Sequence, residues 1–225
     1  MALAIFDLDN TLIAGDSDYL WGVFLVERGI VEREEYEREN ERFYREYREA
    51  RLDIVEFLRF SLRPLRENDP LDLARWREEF LRDKIDPIIL PAARRLLKEH
   101  GDRGDVLLIV TATNEFVTAP IAERLGVPNL IATVPARSGG RYTGEVEGTP
   151  AFQTGKVERL LSWMRKKRVS LDGSTFYSDS VNDLPLLESV DYPVAVDPDE
   201  RLREHARSRG WPLISLRDAE RFRDS

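Results

Sequence analysis

Ala2-Leu3-Ala4-Ile5-Phe6-Asp7-Leu8-Asp9-Asn10-Thr11-Leu12 is the stretch that decides how the chain is read. An apolar run with the character of a buried strand stops at two carboxylates one residue apart. Residues i and i+2 of a strand face the same side, so Asp7 and Asp9 can project together from its carboxyl end. Two acids held there repel unless a cation or a shared proton lies between them. By itself the pair also fits a surface turn, where acidic residues are common.

Outward from this stretch the character changes. Gly15-Asp16-Ser17-Asp18 has the form of a helix start, capping a helix from Tyr19 to Arg28. Gly29 stops it. The charged stretch from Val31 to Leu52 carries Tyr36, Phe43, Tyr44 and Tyr47 at helical spacing, which predicts an amphipathic helix with a polar outer face. Asp53 to Leu62 repeats the pattern, Pro64 breaks it, and Leu71 to Leu81 forms another helix behind Asp69-Pro70. Nothing from Gly15 to Asp86 reads as a strand. A helical excursion of about 70 residues is far longer than an ordinary loop. Residues 15–86 are therefore expected to be an inserted all-helical cap subdomain, with residues 1–14 and 87–225 as the core.

The remainder alternates. Pro91 to Glu99 is a predicted helix and Gly101 to Gly104 a turn. Asp105 to Val110 is a continuous apolar run of buried-strand type that ends at Thr111-Ala112-Thr113. A helix from Glu115 to Leu125 follows, with Pro120 expected to kink or interrupt it. Leu130 to Val134 is a short strand, and Ser138 to Glu145 has the glycines of a hairpin turn. Lys156 opens a helix through Met164. Ser174 to Ser178 and Tyr192 to Val196 are strands, Leu184 to Glu188 begins a helix, and Leu213-Ile214 is an edge strand. Alternating apolar strands and helices predict an α/β fold, a doubly wound parallel sheet of the Rossmann-like type. Such sheets bind ligands beyond the carboxyl ends of their strands, so further strands should also end in reactive groups if Asp7 and Asp9 are functional. They do: one delivers Thr111, another delivers Asp179-Ser180-Val181-Asn182-Asp183, and Lys156 stands near a helix start between them. Singly, Thr111 reads equally as a helix cap, Lys156 as a solvated cation and Asp179-Ser180 as a turn.

Composition narrows the chemistry. A formal net charge of -8 disfavours nucleic acid or an anionic membrane as partner. The compact basic run Arg165-Lys166-Lys167-Arg168 reads as a helix C-terminus. There is no cysteine, which removes thiolate nucleophiles and thiolate metal sites, and only His100 and His205 are present. His100 before Gly101 reads as a capping residue and His205 lies in an Arg-rich helix, both at the surface. Any metal would then be hard and oxygen-liganded. No segment has the length of a membrane span, so a cytoplasmic soluble protein is expected.

Asp7-Leu8-Asp9-Asn10-Thr11-Leu12, Thr111, Lys156 and Ser178-Asp179-Ser180-Val181-Asn182-Asp183 resemble, in order, the motifs of the haloacid dehalogenase (HAD) superfamily of phosphatases. The helical insertion and Thr143-Gly144-Glu145-Val146-Glu147-Gly148 are similar to features of its phosphoserine-phosphatase-like branch. The resemblance implies a Mg²⁺-dependent phosphomonoesterase acting on a small-molecule phosphate ester. It implies Asp7 as nucleophile forming an aspartyl phosphate, and Asp9 as general acid and then base. Mg²⁺ would be held by Asp7, Asp179 and the backbone carbonyl at Asp9. Thr111 and Lys156 would hold phosphoryl oxygens, with Thr11 and the amides of Asn10 and Ala112 as further donors. Asn182 and Asp183 would support the metal through hydrogen bonds or water. Many phosphoserine phosphatases have glycine where Ala112 stands.

Other readings remain open. A receiver domain also uses acids, a threonine and a lysine on a parallel sheet, but it lacks a helical cap. A phosphotransferase on the same fold, or a phosphoryl-accepting or binding protein without turnover, would preserve the same residues. Dehalogenases lack the second acid of the first motif, so Asp9 favours phosphoryl transfer. Asp16 matches an acid that faces the substrate ammonium in phosphoserine phosphatases and serves equally as a helix cap; Asp18 is less favoured. Arg59 or Arg63 would meet a substrate carboxylate, although one register puts Ser61 there. Phosphoserine, histidinol phosphate and phosphoethanolamine all fit an amino-bearing substrate. The oligomeric state is not encoded in these motifs.

Overall fold

β1 (Leu3–Phe6) is wholly buried and occupies the middle of the sheet. Because successive side chains alternate across a strand, Leu3 and Ile5 enter one apolar cluster while Ala4 and Phe6 enter the other, on the opposite face. The computed structural model describes residues 2–217; residues 218–225 of the expected core lie outside the described residues.

The chain leaves β1 for α1 (Ser17–Glu27), α2 (Arg33–Arg48), α3 (Ile54–Ser61), α4 (Arg63–Glu67) and α5 (Pro70–Phe80). Acidic caps start four of these, the fourth being Asp69 before α5. Asp16, Glu32 and Asp53 each accept from two amides of the turn that follows. Pro70 sits at the start of α5, where its missing N–H costs nothing. A π-helical turn, Leu81–Ile85, and a short 3₁₀ turn, Asp86–Ile88, bring the chain back. The two ends of the excursion are clamped together. Ile13 and Ile89 form an antiparallel bridge, Ala14 N donates to Ile88 O at 2.8 Å, and Leu90 N donates to Leu12 O at 3.2 Å. The helices do not build a separate core: Trp21, Phe24 and Phe80 share one apolar cluster with Phe6 and Ile109 of the sheet layer.

Next come α6 (Pro91–Asp102), β2 (Val106–Asn114), α7 (Glu115–Leu125), β3 (Asn129–Ser138), β4 (Arg141–Glu147) and α8 (Thr154–Lys167). The chain closes with β5 (Thr175–Ser178), α9 (Leu184–Leu187), β6 (Tyr192–Val196), α10 (Glu200–Arg209) and β7 (Leu213–Ile214). The seven-stranded sheet has the order β4-β3-β2-β1-β5-β6-β7. Among the described strands only β4 runs antiparallel, as the return arm of the hairpin at Gly139-Gly140. The chain winds one way from β1 through β2 and the other way from β1 through β5. The switch point, where such sheets open a crevice, therefore lies at the end of β1.

Four local expectations change. α6 runs through Gly101, and α7 continues through Pro120 without interruption. His100 is 4% exposed rather than a surface cap. Its Nδ1 lies 2.8 Å from Asp105 Oδ2 and its Nε2 lies 2.9 Å from the Tyr177 hydroxyl. An ionised carboxylate can only accept, so Nδ1 carries the proton and Nε2 accepts from Tyr177. β3 is also longer than expected because pairing with β4 extends it to Ser138. No helix among the described residues is long and apolar enough to cross a membrane.

Candidate active site

Asp7 N donates to Tyr177 O at 2.9 Å, which continues the β1–β5 ladder one residue past the strand. The chain then folds over itself: Leu12 N donates to Leu8 O at 2.9 Å, and Asn10 adopts φ 57°, a left-handed conformation that asparagine tolerates. This turn sends the two acids to different partners. Asp9 Oδ1 accepts from Ser17 N at 2.6 Å and its Oδ2 accepts from the Thr113 hydroxyl at 2.7 Å. Asp7 faces the other way, toward Lys156 and the β5 loop. Asn10 N, expected among the phosphate donors, instead donates to Gly15 O at 2.9 Å. The turn uses that amide to hold its own shape.

Lys156 comes from the first turn of α8 and is 1% exposed. Its Nζ lies 2.7 Å from Asp7 Oδ1 and 2.7 Å from Asp183 Oδ1. The approach is tight: a Cβ on Gly155 would sit 2.1 Å from Pro150 O. Asp183 reaches the ammonium because Ser180 caps a 3₁₀ turn, Val181–Asp183, that folds the chain back, and the Ser178 hydroxyl donates to Asp183 Oδ2 at 2.7 Å. Asp179, one residue beyond β5, faces Asp7 across Thr11. The Thr11 hydroxyl is 3.5 Å from Asp7 Oδ2 and 3.4 Å from Asp179 Oδ1.

This much charge in a dry place shifts the acids. Burial raises Asp7 to about 7; Lys156 opposes the shift, while Asp183 and Asp9 add to it. Burial, helped by Asp16, raises Asp9 to about 6 against the pull of the Ser17 and Thr113 hydrogen bonds. Burial and the charges of Asp7 and Asp183 push Asp179 well above the usual carboxylate range. Burial alone would depress Lys156, but Asp183 and Asp7 outweigh it and hold the ammonium firmly charged. Two neighbouring carboxylates thus sit in distinct settings, one against a cation and one against a hydroxyl and an amide.

Above the carboxylates lies a cavity whose walls include Asp7, Asp9, Thr111 and Ala112. Thr111 is buried, with its hydroxyl 3.5 Å from Asp9 Oδ2. The roof comes from the helical excursion. Asn182 Nδ2 donates to Tyr47 O at 3.0 Å, and Gln153 Nε2 donates to Asn182 Oδ1 at 3.2 Å, tying the end of α2 to the acidic loop. Asp16 and Asp18 line the side wall. Arg59 does not reach the cavity: α3 turns Ile54 and Phe57 toward it and buries Leu58 and Ser61, which leaves Arg59 exposed on the opposite face. Arg63 pairs with Glu35 at 3.0 Å and is not among the lining residues. Sequence reasoning missed Thr113 as a partner of Asp9. The signal was present, since Thr111 and Thr113 are i and i+2 on one strand and share a face.

Among the described residues no group of three or more His, Cys, Asp or Glu side chains is arranged to hold a metal by itself. Asp7 and Asp179 offer two carboxylates joined by one hydroxyl, an all-oxygen pair of the kind that hard divalent cations use. A cation there would complete its shell from backbone, phosphate or water oxygens.

The chain matches the haloacid dehalogenase-like hydrolases over residues 4–188. It is 45% identical over 219 residues to a histidinol-phosphatase of Neisseria meningitidis, covering 96% of this chain and 99% of that one. It is 32% identical over 228 residues to a phosphoserine phosphatase of Mycobacterium tuberculosis, covering 98% of this chain and 72% of that one. A crystal structure of a protein with unknown function from Bordetella pertussis superposes with a TM-score of 0.90 at 46% identity, covering 96% and 98% of the two chains. A phospho-aspartyl intermediate analogue of phosphoserine phosphatase superposes with a TM-score of 0.70 at 21% identity, covering 96% and 93%, a likeness of fold alone.

Proposed function

The chain belongs to the haloacid dehalogenase-like hydrolases, in their phosphoserine-phosphatase-like branch, and is a phosphatase; on that premise we propose that it hydrolyses a small amino-bearing phosphomonoester, with Asp7 as nucleophile, Asp9 as proton carrier and Mg²⁺ as cofactor. The observation that carries this reading is the separation of roles between the two acids. Asp7 Oδ1 is 2.7 Å from Lys156 Nζ, whereas Asp9 Oδ2 is 2.7 Å from the Thr113 hydroxyl and its Oδ1 is 2.6 Å from Ser17 N. Pairs of acids whose surroundings differ in this way are suited to different tasks in one reaction.

In the proposed sequence an Asp7 carboxylate oxygen attacks phosphorus. The bond from phosphorus to the ester oxygen breaks, and its electron pair leaves on that oxygen, which takes the proton of Asp9. Water then gives a proton to Asp9 and attacks the aspartyl phosphate, which releases inorganic phosphate and restores the Asp7 carboxylate and the protonated Asp9. Lys156 favours the ionised form of Asp7 against its burial and offers its ammonium to phosphoryl oxygens, and Thr111 adds a hydroxyl donor. Asn182 and Asp183 hold the acidic loop in place around these groups. Asp7, Asp179 and the Asp9 carbonyl would hold the divalent cation. When bound, that ion supplies the charge that offsets repulsion between the Asp7 carboxylate and the phosphate dianion. Residues 15–86 act as the cap that selects the alcohol half of the ester, with Asp16 and Asp18 in its wall.

Phosphate release from p-nitrophenyl phosphate in the presence of Mg²⁺ tests the reading. Activity should vanish with EDTA and return with Mg²⁺, and Asp7→Asn should lower kcat by at least about 10³-fold. Full activity in Asp7→Asn would refute the nucleophile assignment.

A further inference from the structure

We propose that the alcohol half of the substrate is cationic, carries no carboxylate and presents a flat ring, and that Asp18 receives its positive charge. This narrows the phosphatase reading and rests on it. Three observations lead there.

The first is the charge of the cavity wall. Asp16 and Asp18 stand beside the proton-carrying Asp9, and no lysine, arginine or histidine is among the lining residues. The nearest buried cation, Lys156, is already held by Asp7 and Asp183. A substrate carboxylate would enter a desolvated wall of its own sign with no cation to meet it. Arg59, which sequence reasoning offered for that task, is exposed outside the cavity.

The second is the unequal engagement of the two acids. Asp16 is the cap of α1, and its Oδ1 accepts from Asp18 N at 3.0 Å and from Tyr19 N at 2.9 Å. The Asp18 carboxylate accepts no hydrogen bond and forms no ion pair among the described residues, although it lines the cavity beside two further acids. A helix N-terminus favours an acid at this position, but a side chain turned to water would satisfy the dipole equally. Its carboxylate, half-buried at the edge of the cavity, is left free to meet a cation arriving there.

The third is the aromatic part of the same lining. Tyr19 and Tyr44 have centroids 4.7 Å apart, Phe43 and Phe57 5.4 Å apart, and Tyr47 and Phe152 6.2 Å apart. All six rings border the cavity. Ring faces attract cations and accept flat groups by stacking. A cavity bordered by both acids and aromatic rings suits an amino alcohol phosphate with a protonatable ring. Histidinol phosphate has that chemistry, whereas phosphoserine adds a carboxylate and phosphoethanolamine leaves the rings uncovered.

The experiment compares kcat/KM, with Mg²⁺ supplied, for histidinol phosphate, O-phosphoserine and p-nitrophenyl phosphate. Histidinol phosphate should exceed O-phosphoserine by about 100-fold or more. In Asp18→Asn the ratio of histidinol phosphate to p-nitrophenyl phosphate should fall by about tenfold or more. O-phosphoserine within about threefold of histidinol phosphate, or an unmoved ratio in Asp18→Asn, overturns the proposal. Calorimetric binding of the same two amino esters to Asp7→Asn protein, with and without Asp18→Asn, decides the matter without turnover. If p-nitrophenyl phosphate is not hydrolysed, the catalytic reading fails while binding still judges the specificity.

Discussion

Replacing Lys156 with methionine should destabilise the fold more than any surface change, and the size follows from the site. The ammonium is 1% exposed and lies 2.7 Å from a carboxylate oxygen of Asp7 and of Asp183. Methionine keeps much of the buried volume but leaves both acids without their cation. Removing one partner of a buried ion pair costs about 3–5 kcal/mol. For a chain of this length, each 1 kcal/mol moves Tm by about 2–4 °C, so a fall of roughly 6–20 °C is expected. Thermal melts followed by circular dichroism in EDTA would measure it, so that cation binding to the same acids does not contribute. The pH dependence gives a second handle. Asp7 sits at about 7 in the folded chain against an ordinary value of 3.8, so the folded state holds its proton to higher pH than the unfolded state. Its ionisation therefore destabilises the fold above that range, and the penalty is relieved as pH falls through about 7 toward 3.8. Without Lys156 the Asp7 pKa rises further, so the gap between the two proteins should be wide at pH 8 and narrower at pH 5. Adding Asp7→Asn to Lys156→Met should recover part of the loss at pH 8. A Tm within about 2 °C of the parent at pH 8, or a gap that widens on acidification, would refute this account of the buried cluster.

Thr113→Val removes the 2.7 Å hydrogen bond to Asp9 Oδ2 while conserving shape. Steady-state assays with p-nitrophenyl phosphate should show kcat reduced about tenfold, because Asp9 loses the donor that fixes its orientation; an unchanged kcat would remove Thr113 from the machinery. His100 supplies a test remote from the carboxylates. Burial lowers its pKa below 6.5, so the folded state refuses a proton that the unfolded state accepts. Its contribution is fully present above about 6.5 and diminishes as pH falls through that value toward the folded pKa. The stability difference between the parent and His100→Gln, from urea titrations at pH 8 and pH 5, should shrink at the lower pH.

What could be read from the sequence was what the backbone decides locally. β1 and β2 announce themselves as apolar runs, and a parallel sheet obliges their ends to share one crevice, so Asp7, Thr111 and Asp179 could be placed together without a structure. Contacts made by the folded chain as a whole were not legible in this way. His100 is buried because Tyr177, 77 residues later, meets its ring. No local pattern around His100-Gly101 separates that from a helix cap. Arg59 is a nearer miss: the stripe of Phe57, Leu58 and Ser61 on α3 already points it outward, but only the packed helix shows which stripe faces the cavity. Asn10 was misjudged because a free-looking amide in a turn is indistinguishable in sequence from one spent on Gly15 O.

The proposed substrate preference and the proposed cation requirement have one physical cause. Asp7, Asp179 and Asp183 crowd one end of the crevice, and Asp9, Asp16 and Asp18 border the other, with Lys156 as the buried cation among them. A phosphate ester adds further negative charge at the junction. A low dielectric magnifies this repulsion, and the raised pKa values of Asp7, Asp9 and Asp179 record it in the empty site. Lys156 offsets the Asp7–Asp183 side alone. On the proposed reading, binding a dianion therefore draws positive charge from outside to each end: a hard ion between Asp7 and Asp179, and a cationic alcohol against Asp18. A neutral ester would satisfy only the first of these. It should bind more weakly for that reason even where its phosphate is held identically, so that selectivity arises from the leaving group's charge before any shape is compared.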